Sequence, residues 1–166
     1  MYYFGYCTWL DAPELHRFMP KAQPVTKGYA TNHKLAFHAA GTRNDRGWCH
    51  LEDGPAAQGC KALGVVFDHD PSHFKEDYDD FRRVFLTVYG DDGKTYDCWT
   101  YTMTNPGMAM RPPNYYWEHI PMGLKQWNFP DSYVQEVLST YAAAAECPRA
   151  DRANPSAVPG KSAATR

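Results

Sequence analysis

The ten residues Met1-Tyr2-Tyr3-Phe4-Gly5-Tyr6-Cys7-Thr8-Trp9-Leu10 decide how the rest of the chain is read. Tyr3, Phe4 and Tyr6 are aromatic residues of the kind that fill strands. Cys7 and Thr8 are small and close the run, and Trp9-Leu10-Asp11-Ala12-Pro13-Glu14-Leu15 opens a helix. A strand that ends in small residues and turns into a helix leaves backbone N–H groups facing one pocket, an arrangement that suits a carboxylate or phosphate. The plainer reading of the same stretch is the central strand of a sheet.

The 166 residues suit one domain around one core. A net charge of −2 gives no field that would favour nucleic acid. Aromatic residues make up 15% of the chain, which predicts a ring-rich core or a pocket lined by rings. No apolar run is long enough to cross a bilayer, and no basic leader precedes Thr8 and Asp11, so neither a transmembrane segment nor a signal peptide is expected. Cys7, Cys49, Cys60, Cys98 and Cys147 are odd in number, irregularly spaced and without a CxxC. That pattern predicts free thiols in a reducing cytoplasm rather than a disulfide frame or a zinc site.

Outward from the first strand, a short helix over 13–22 is expected to end near Pro20. Val25 to Tyr29 and Lys34 to His38 read as strand pieces around a turn at Thr31-Asn32. Residues 41–47 read as a polar loop, Trp48-Cys49-His50-Leu51 as another strand before the Gly54-Pro55 turn, and Leu63 to Phe67 as a strand buried on both faces. Phe81 to Tyr89 and Thr95 to Met103 flank the turn signal Gly90-Asp91-Asp92-Gly93, so 81–103 is a hairpin. Residues 105–114 form a Pro/Gly-rich loop. Tyr115-Tyr116-Trp117 either pack on the sheet or wall a pocket. Residues 131–145 make the best helix, with Asp131 as N-cap and Val134, Val137, Leu138 and Tyr141 on one stripe. The fold class is α+β.

Two further stretches invite chemistry. Residues 68–80 hold Glu76, Asp77, Asp79 and Asp80 around Tyr78; crowded carboxylates raise one another's pKa, and one of them could act as a base near neutral pH. An exposed acidic turn is the commoner fate of such a run. His69 and His73 lack a supporting histidine cluster, so no metal site is expected. Residues 148–166 turn to Ala, Pro, Ser and Gly, with Arg149, Arg152, Lys161 and Arg166 against Asp151, a local net of +3 over 149–166. With few large apolar side chains, this tail is expected to be disordered on its own and to serve either as a solvated end or as a tether onto an acidic protein partner.

Taken in order, the pieces resemble the γ-glutamylcyclotransferase-like family. Members open with Tyr-Phe-Ala-Tyr-Gly-Ser-Asn-Leu, where this chain has Tyr3 to Leu10. Pro20-x-Ala22, Leu35-x-Phe37, Gly64-Val65-Val66 and Cys98 to Asn105 are similar to family segments. So are Pro113-x-x-Tyr116, Met122-Gly123 and Phe129-Pro130-x-x-Tyr133. The resemblance spans residues 2–141 and implies a small mixed β-barrel with flanking helices over 1–147, with the basic tail outside it. It implies a γ-glutamyl compound as substrate, no cofactor, and a substrate site at Tyr6, Cys7, Thr8, Trp9, Leu10 and Tyr116.

The departures fall on that site. The family's Gly-Ser-Asn cradle is Cys7-Thr8-Trp9 here: a side chain stands where glycine lets a ligand approach, and a large ring replaces a small amide. The family's general-base glutamate sits in a Leu-Asp-x-x-Glu-Gly segment that is shortened here, leaving Glu76 as the only glutamate and Asp77 and Asp80 one methylene shorter. Two expectations of different class follow. Either Glu76 serves as the base of a working γ-glutamyl amide cyclotransferase, or the fold has lost that reaction and acts as a binding or assembly subunit whose tail docks a partner. Joint alteration of cradle and base favours the second. An open cavity at Thr8 with a carboxylate within about 3.5 Å of the substrate amine would favour the enzyme, and a cavity plugged by the Trp9 ring would favour the binder.

Overall fold

A computed structural model describes residues 1–41, 43–73 and 80–148. Eight strands, four α-helices and three short 3-10 turns account for the regular elements of the described residues. Strand β1 (Tyr2–Gly5) runs through a single 3-10 turn (Thr8–Leu10) into helix α1 (Ala12–His16). Then come β2 (Gln23–Thr31), β3 (Lys34–Ala40), β4 (Arg43–Glu52), β5 (Lys61–Asp68), β6 (Phe81–Gly90), β7 (Thr95–Met103) and β8 (Pro106–Ala109). Helices α2 (Asn114–Trp117), α3 (His119–Gln126) and α4 (Asp131–Ala143) complete the order.

Strands β1-β5-β2-β6-β7 form a closed barrel. Antiparallel pairs make four of its seams, and the barrel closes where β1 meets β7 in parallel, Tyr2 opposite Cys98 and Tyr3 opposite Trp99. Closure removes the open edges that a five-stranded sheet would otherwise expose. The β6–β7 hairpin is the one its turn residues predict, with Gly93 at φ +80° and the Gly90 N–H donating to the Lys94 carbonyl at 2.8 Å. Asn32 takes a left-handed φ of 56° at the expected turn after β2, a conformation asparagine tolerates. A second, three-stranded sheet of order β4-β3-β8 lies beside the barrel. Its β4 is joined to β7 through Thr102, whose hydroxyl lies 3.1 Å from both the Leu51 N–H and the Leu51 carbonyl.

The core runs through both layers. Phe4, Val65, Val66, Phe67 and Trp99 are buried within the barrel strands, and Leu10, Leu15, Ile120 and Leu124 bury the turn and helices against them. The small mixed barrel with flanking helices is therefore present as expected.

Several local expectations need correction. The polar run 41–47 is not all loop: β4 begins at Arg43, because the β3 edge recruits it, Ala40 opposite Arg43 and Ala39 opposite Gly47. Residues 106–109 pair with the other edge of β3, an edge place where Pro106 needs no donor. Helix α1 stops at His16, though turns continue its hydrogen bonding to Met19. In α4 the N-cap is Pro130, Asp131 lies inside the first turn without a capping hydrogen bond, and the helix ends at Ala143. The cysteines depart most: Cys7 and Cys49 form a disulfide, leaving Cys60, Cys98 and Cys147 free. Irregular spacing hid the bridge because its partners lie 42 residues apart and meet only once β4 crosses the end of β1, so the cysteine count no longer argues for a reducing compartment. The acidic run with Glu76, Asp77 and Asp79, and the tail from 149 on, lie outside the described residues. Among those described, no helix is long and apolar enough to cross a membrane, and no group of three or more His, Cys, Asp or Glu is placed to hold a metal ion.

Candidate active site

The turn that follows β1 is anchored by several buried contacts. Leu10 N–H donates to the Cys7 carbonyl at 2.9 Å and Asp11 N–H to Thr8 at 3.1 Å, which fixes the 3-10 turn. Helix α3 then pins it from behind. Trp127 Nε1 donates to the Leu10 carbonyl at 2.7 Å, His119 Nδ1 lies 2.7 Å from the buried Asp11 carboxylate, and Ala12 N–H donates to Gln126 Oε1 at 3.2 Å. Gly123 makes this approach possible: a Cβ there would run into the Leu10 Cβ and stand 2.8 Å from the Asp11 nitrogen. This close packing is the physical reason for glycine in the Met122-Gly123 pair.

A cavity of about 620 Å³ opens over the turn. Tyr6, Cys7, Thr8, Trp9 and Tyr116 all line it. Leu10 does not; it is fully buried in the core. The Tyr6 hydroxyl donates to the Tyr101 carbonyl at 2.8 Å, and burial, aided by Tyr116, Tyr3 and Tyr133 nearby, holds its pKa well above that of an ordinary tyrosine. Tyr116 is the junction of the cradle. Its hydroxyl accepts from the Cys49 N–H at 3.3 Å, lies 3.5 Å from Cys7 Sγ, and is hydrogen-bonded to the Thr8 side chain. Burial outweighs those contacts and pushes its pKa up to about 12, so the phenol stays neutral near pH 7.

Trp9 does not plug this space. Its ring packs against Tyr3 (centroids 5.1 Å apart), Phe18 (5.2 Å) and Tyr101 (6.1 Å), and so forms a wall. The facing wall is Trp48, Phe81 and Asp80. Trp48 stands edge-on to Tyr116 at 5.1 Å, and its buried indole N–H has no acceptor among the described residues. Asp80 carries an ion pair with Arg43. Of the expected acids, Asp80 reaches the cavity, while Glu76 lies outside the described residues.

Sequence reasoning missed Tyr3, Phe18, Trp48, Cys49, Phe81 and Tyr101 as cavity residues. Tyr101 and Tyr3 are strand residues whose inward direction depends on barrel closure. Phe18 had a weak signal: a large ring left 37% exposed just beyond a short helix.

No protein-family model matches the sequence, and no curated protein matches it. Solved structures do resemble the fold. One described as a γ-glutamyl cyclotransferase superposes with a TM-score of 0.75 at 22% identity, covering 93% of this chain and 94% of its own. The uncharacterized human protein loc79017 gives 0.72 at 22% identity, over 92% and 90%. YkqA from Bacillus subtilis gives 0.72 at 18% identity, over 88% of this chain and 55% of its own. A closed five-stranded barrel with a second sheet at its side, superposing along nearly the whole length, gives this chain the γ-glutamylcyclotransferase-like fold.

Proposed function

We propose that the protein is a γ-glutamyl amide cyclotransferase. The observation that carries this reading is an open cavity that Thr8 lines, with the Trp9 ring held in its lining by Tyr3, Phe18 and Tyr101. A fold alone would not suffice, since one fold hosts many activities.

In the proposed reaction the γ-glutamyl group lies on the 7–9 turn, held by Thr8, the turn's backbone N–H groups and the neutral Tyr116 phenol. Tyr6, Cys7, Trp9 and Leu10 shape or support that seat. Glu76 is the proposed general base. It takes a proton from the substrate's α-ammonium, and the freed amine attacks the substrate's own γ-carbonyl. The new C–N bond closes 5-oxoproline, the old amide C–N bond breaks, and the two protons that the α-nitrogen sheds, one before and one after attack, end on the leaving amine, which departs as an ammonium. No cofactor enters the balance. Because nucleophile and electrophile belong to one molecule, holding them in ring-closing geometry is the main contribution asked of the protein.

A second reading keeps the fold without the reaction, as a binding or assembly subunit with residues 148–166 tethering an acidic partner. The disulfide favours it: Cys7 occupies the place of the family's cradle glycine and is tied to Cys49.

Measurement of 5-oxoproline release from γ-glutamyl amino acids and amines separates the two. Turnover that Glu76→Gln lowers by about a hundredfold or more, and that Thr8→Ala weakens, is expected. No turnover from folded protein across the panel overturns the cyclotransferase and moves the work to capturing partners with and without residues 148–166.

A further inference from the structure

We infer that the rings around the cavity select the amine half of the substrate, and that this half is a large apolar or aromatic amine rather than a small or cationic one. The inference rests on the cyclotransferase reading for the reaction, but its geometry stands apart from it. Polar groups gather at one end of the cavity, where Thr8, Tyr116 and the turn lie. Most of the remaining described lining is aromatic, with Trp9 tilted against Phe18, Trp48 edge-on to Phe81, and Tyr3 and Tyr101 beside them; Asp80 is its one charged residue.

A γ-glutamyl group has an α-carboxylate, an α-amine and a γ-carbonyl, and those suit the polar end. What projects beyond the γ-carbonyl is the amine to be released, and it meets rings. Phe18 leaves 37% of its surface in water and Trp9 is half-buried, so a bound apolar group would cover ring surface that is otherwise wet. At about 620 Å³ the cavity is in the range that holds ligands much larger than a single glutamyl group.

Among the described residues Asp80 is the lining's one carboxylate, and the Arg43 guanidinium already shares it, so a side-chain ammonium gains less there than it would from an unpaired carboxylate. An acceptor on the amine half, such as the carboxylate of an aromatic amino acid, would also meet the Trp48 indole N–H, which has no acceptor among the described residues, if it reached that wall.

The test compares γ-glutamyl-phenylalanine, γ-glutamyl-glycine and ε-(γ-glutamyl)-lysine on the whole chain, by 5-oxoproline release and by calorimetric binding. We expect kcat/KM for the phenylalanine compound to exceed the other two by about tenfold or more. Phe18→Ala should shrink the phenylalanine-to-glycine ratio chiefly through KM, and Phe18→Leu should restore part of it. Phe18 is partly exposed, so its removal leaves the core intact. Equal rates for phenylalanine and glycine, or a preference for lysine, overturn the inference and leave the cyclotransferase standing. Tighter binding of the phenylalanine compound without any turnover keeps the inference and overturns the reaction. Neither turnover nor binding overturns both.

Discussion

The two sides of the cavity are built differently. The floor, from Cys7 to Asp11, is tied down by a disulfide, a tryptophan N–H, a histidine–carboxylate contact and a helix close enough to require glycine. The facing wall offers an ion pair whose Arg43 is 58% exposed, together with rings that pack edge to face. Buried, mutually dependent contacts fix a geometry; exposed pairs and ring edges shift at small cost. A site that must hold one invariant group and accept a variable one would be divided in this way.

The disulfide is where the largest effect is expected. Opening it with Cys49→Ala should lower unfolding free energy by about 4 kcal/mol on the chain-entropy account of a loop of this length, read from urea melts. Wild type under a dithiol reductant should move the same way, and a midpoint unmoved by reduction would show that the floor does not depend on the bond.

Gly123→Val comes next. Its side chain would push the Leu10–Asp11 backbone off α3, at about 1–3 kcal/mol, and should lower affinity for γ-glutamyl ligands as well as stability. Asp11→Ala leaves His119 without its buried acceptor and should cost about 1–2 kcal/mol with a smaller effect on binding. If Asp11→Ala weakened binding as much as Gly123→Val, the floor would owe its shape to charge and not to close packing.

On the wall side, His50 supplies a pH dependence. Burial, with the His38 ring 5.4 Å away and Arg82 nearby, lowers its pKa from 6.5 to about 4 against the opposing pull of Asp53. The unfolded chain therefore takes up a proton below pH 6.5 that the folded protein refuses until about 4. Stability from this group is complete above 6.5 and falls as pH drops through that window. Thermal midpoints measured from pH 7 to 4.5 should decline, and His50→Gln should flatten part of the slope. The smallest effect belongs to Arg43→Ala, within about 0.5 kcal/mol by denaturation, because its ion pair is largely solvated. A larger loss would mean that the wall is as rigid as the floor.

Local chemistry made part of this legible from sequence. Gly90 and Gly93 announced a hairpin, the valines of 63–67 a buried strand, and the order of segments from Tyr3 to Tyr133 the barrel. Long-range geometry was not legible. Cys7 and Cys49 look unrelated until β4 passes the end of β1, and Arg43 looks like loop until the β3 edge pairs with it. The cavity followed the same division. The lining residues Tyr6 to Trp9 could be named because they are contiguous and motif-like. The wall residues Phe18, Trp48, Phe81 and Tyr101 come from four separate elements or connections and share no spacing.

The parallel seam between β1 and β7 has a consequence for how the chain is made. Tyr2–Gly5 has its antiparallel partner at 65–68 and its parallel partner at 98–99. At a synthesis rate of about 5–20 residues per second, this aromatic strand waits several seconds for the first of these and longer for the second. Over that interval Tyr3 and Phe4 have no barrel to enter, and the slow, non-local closure is the step most exposed to association between nascent chains.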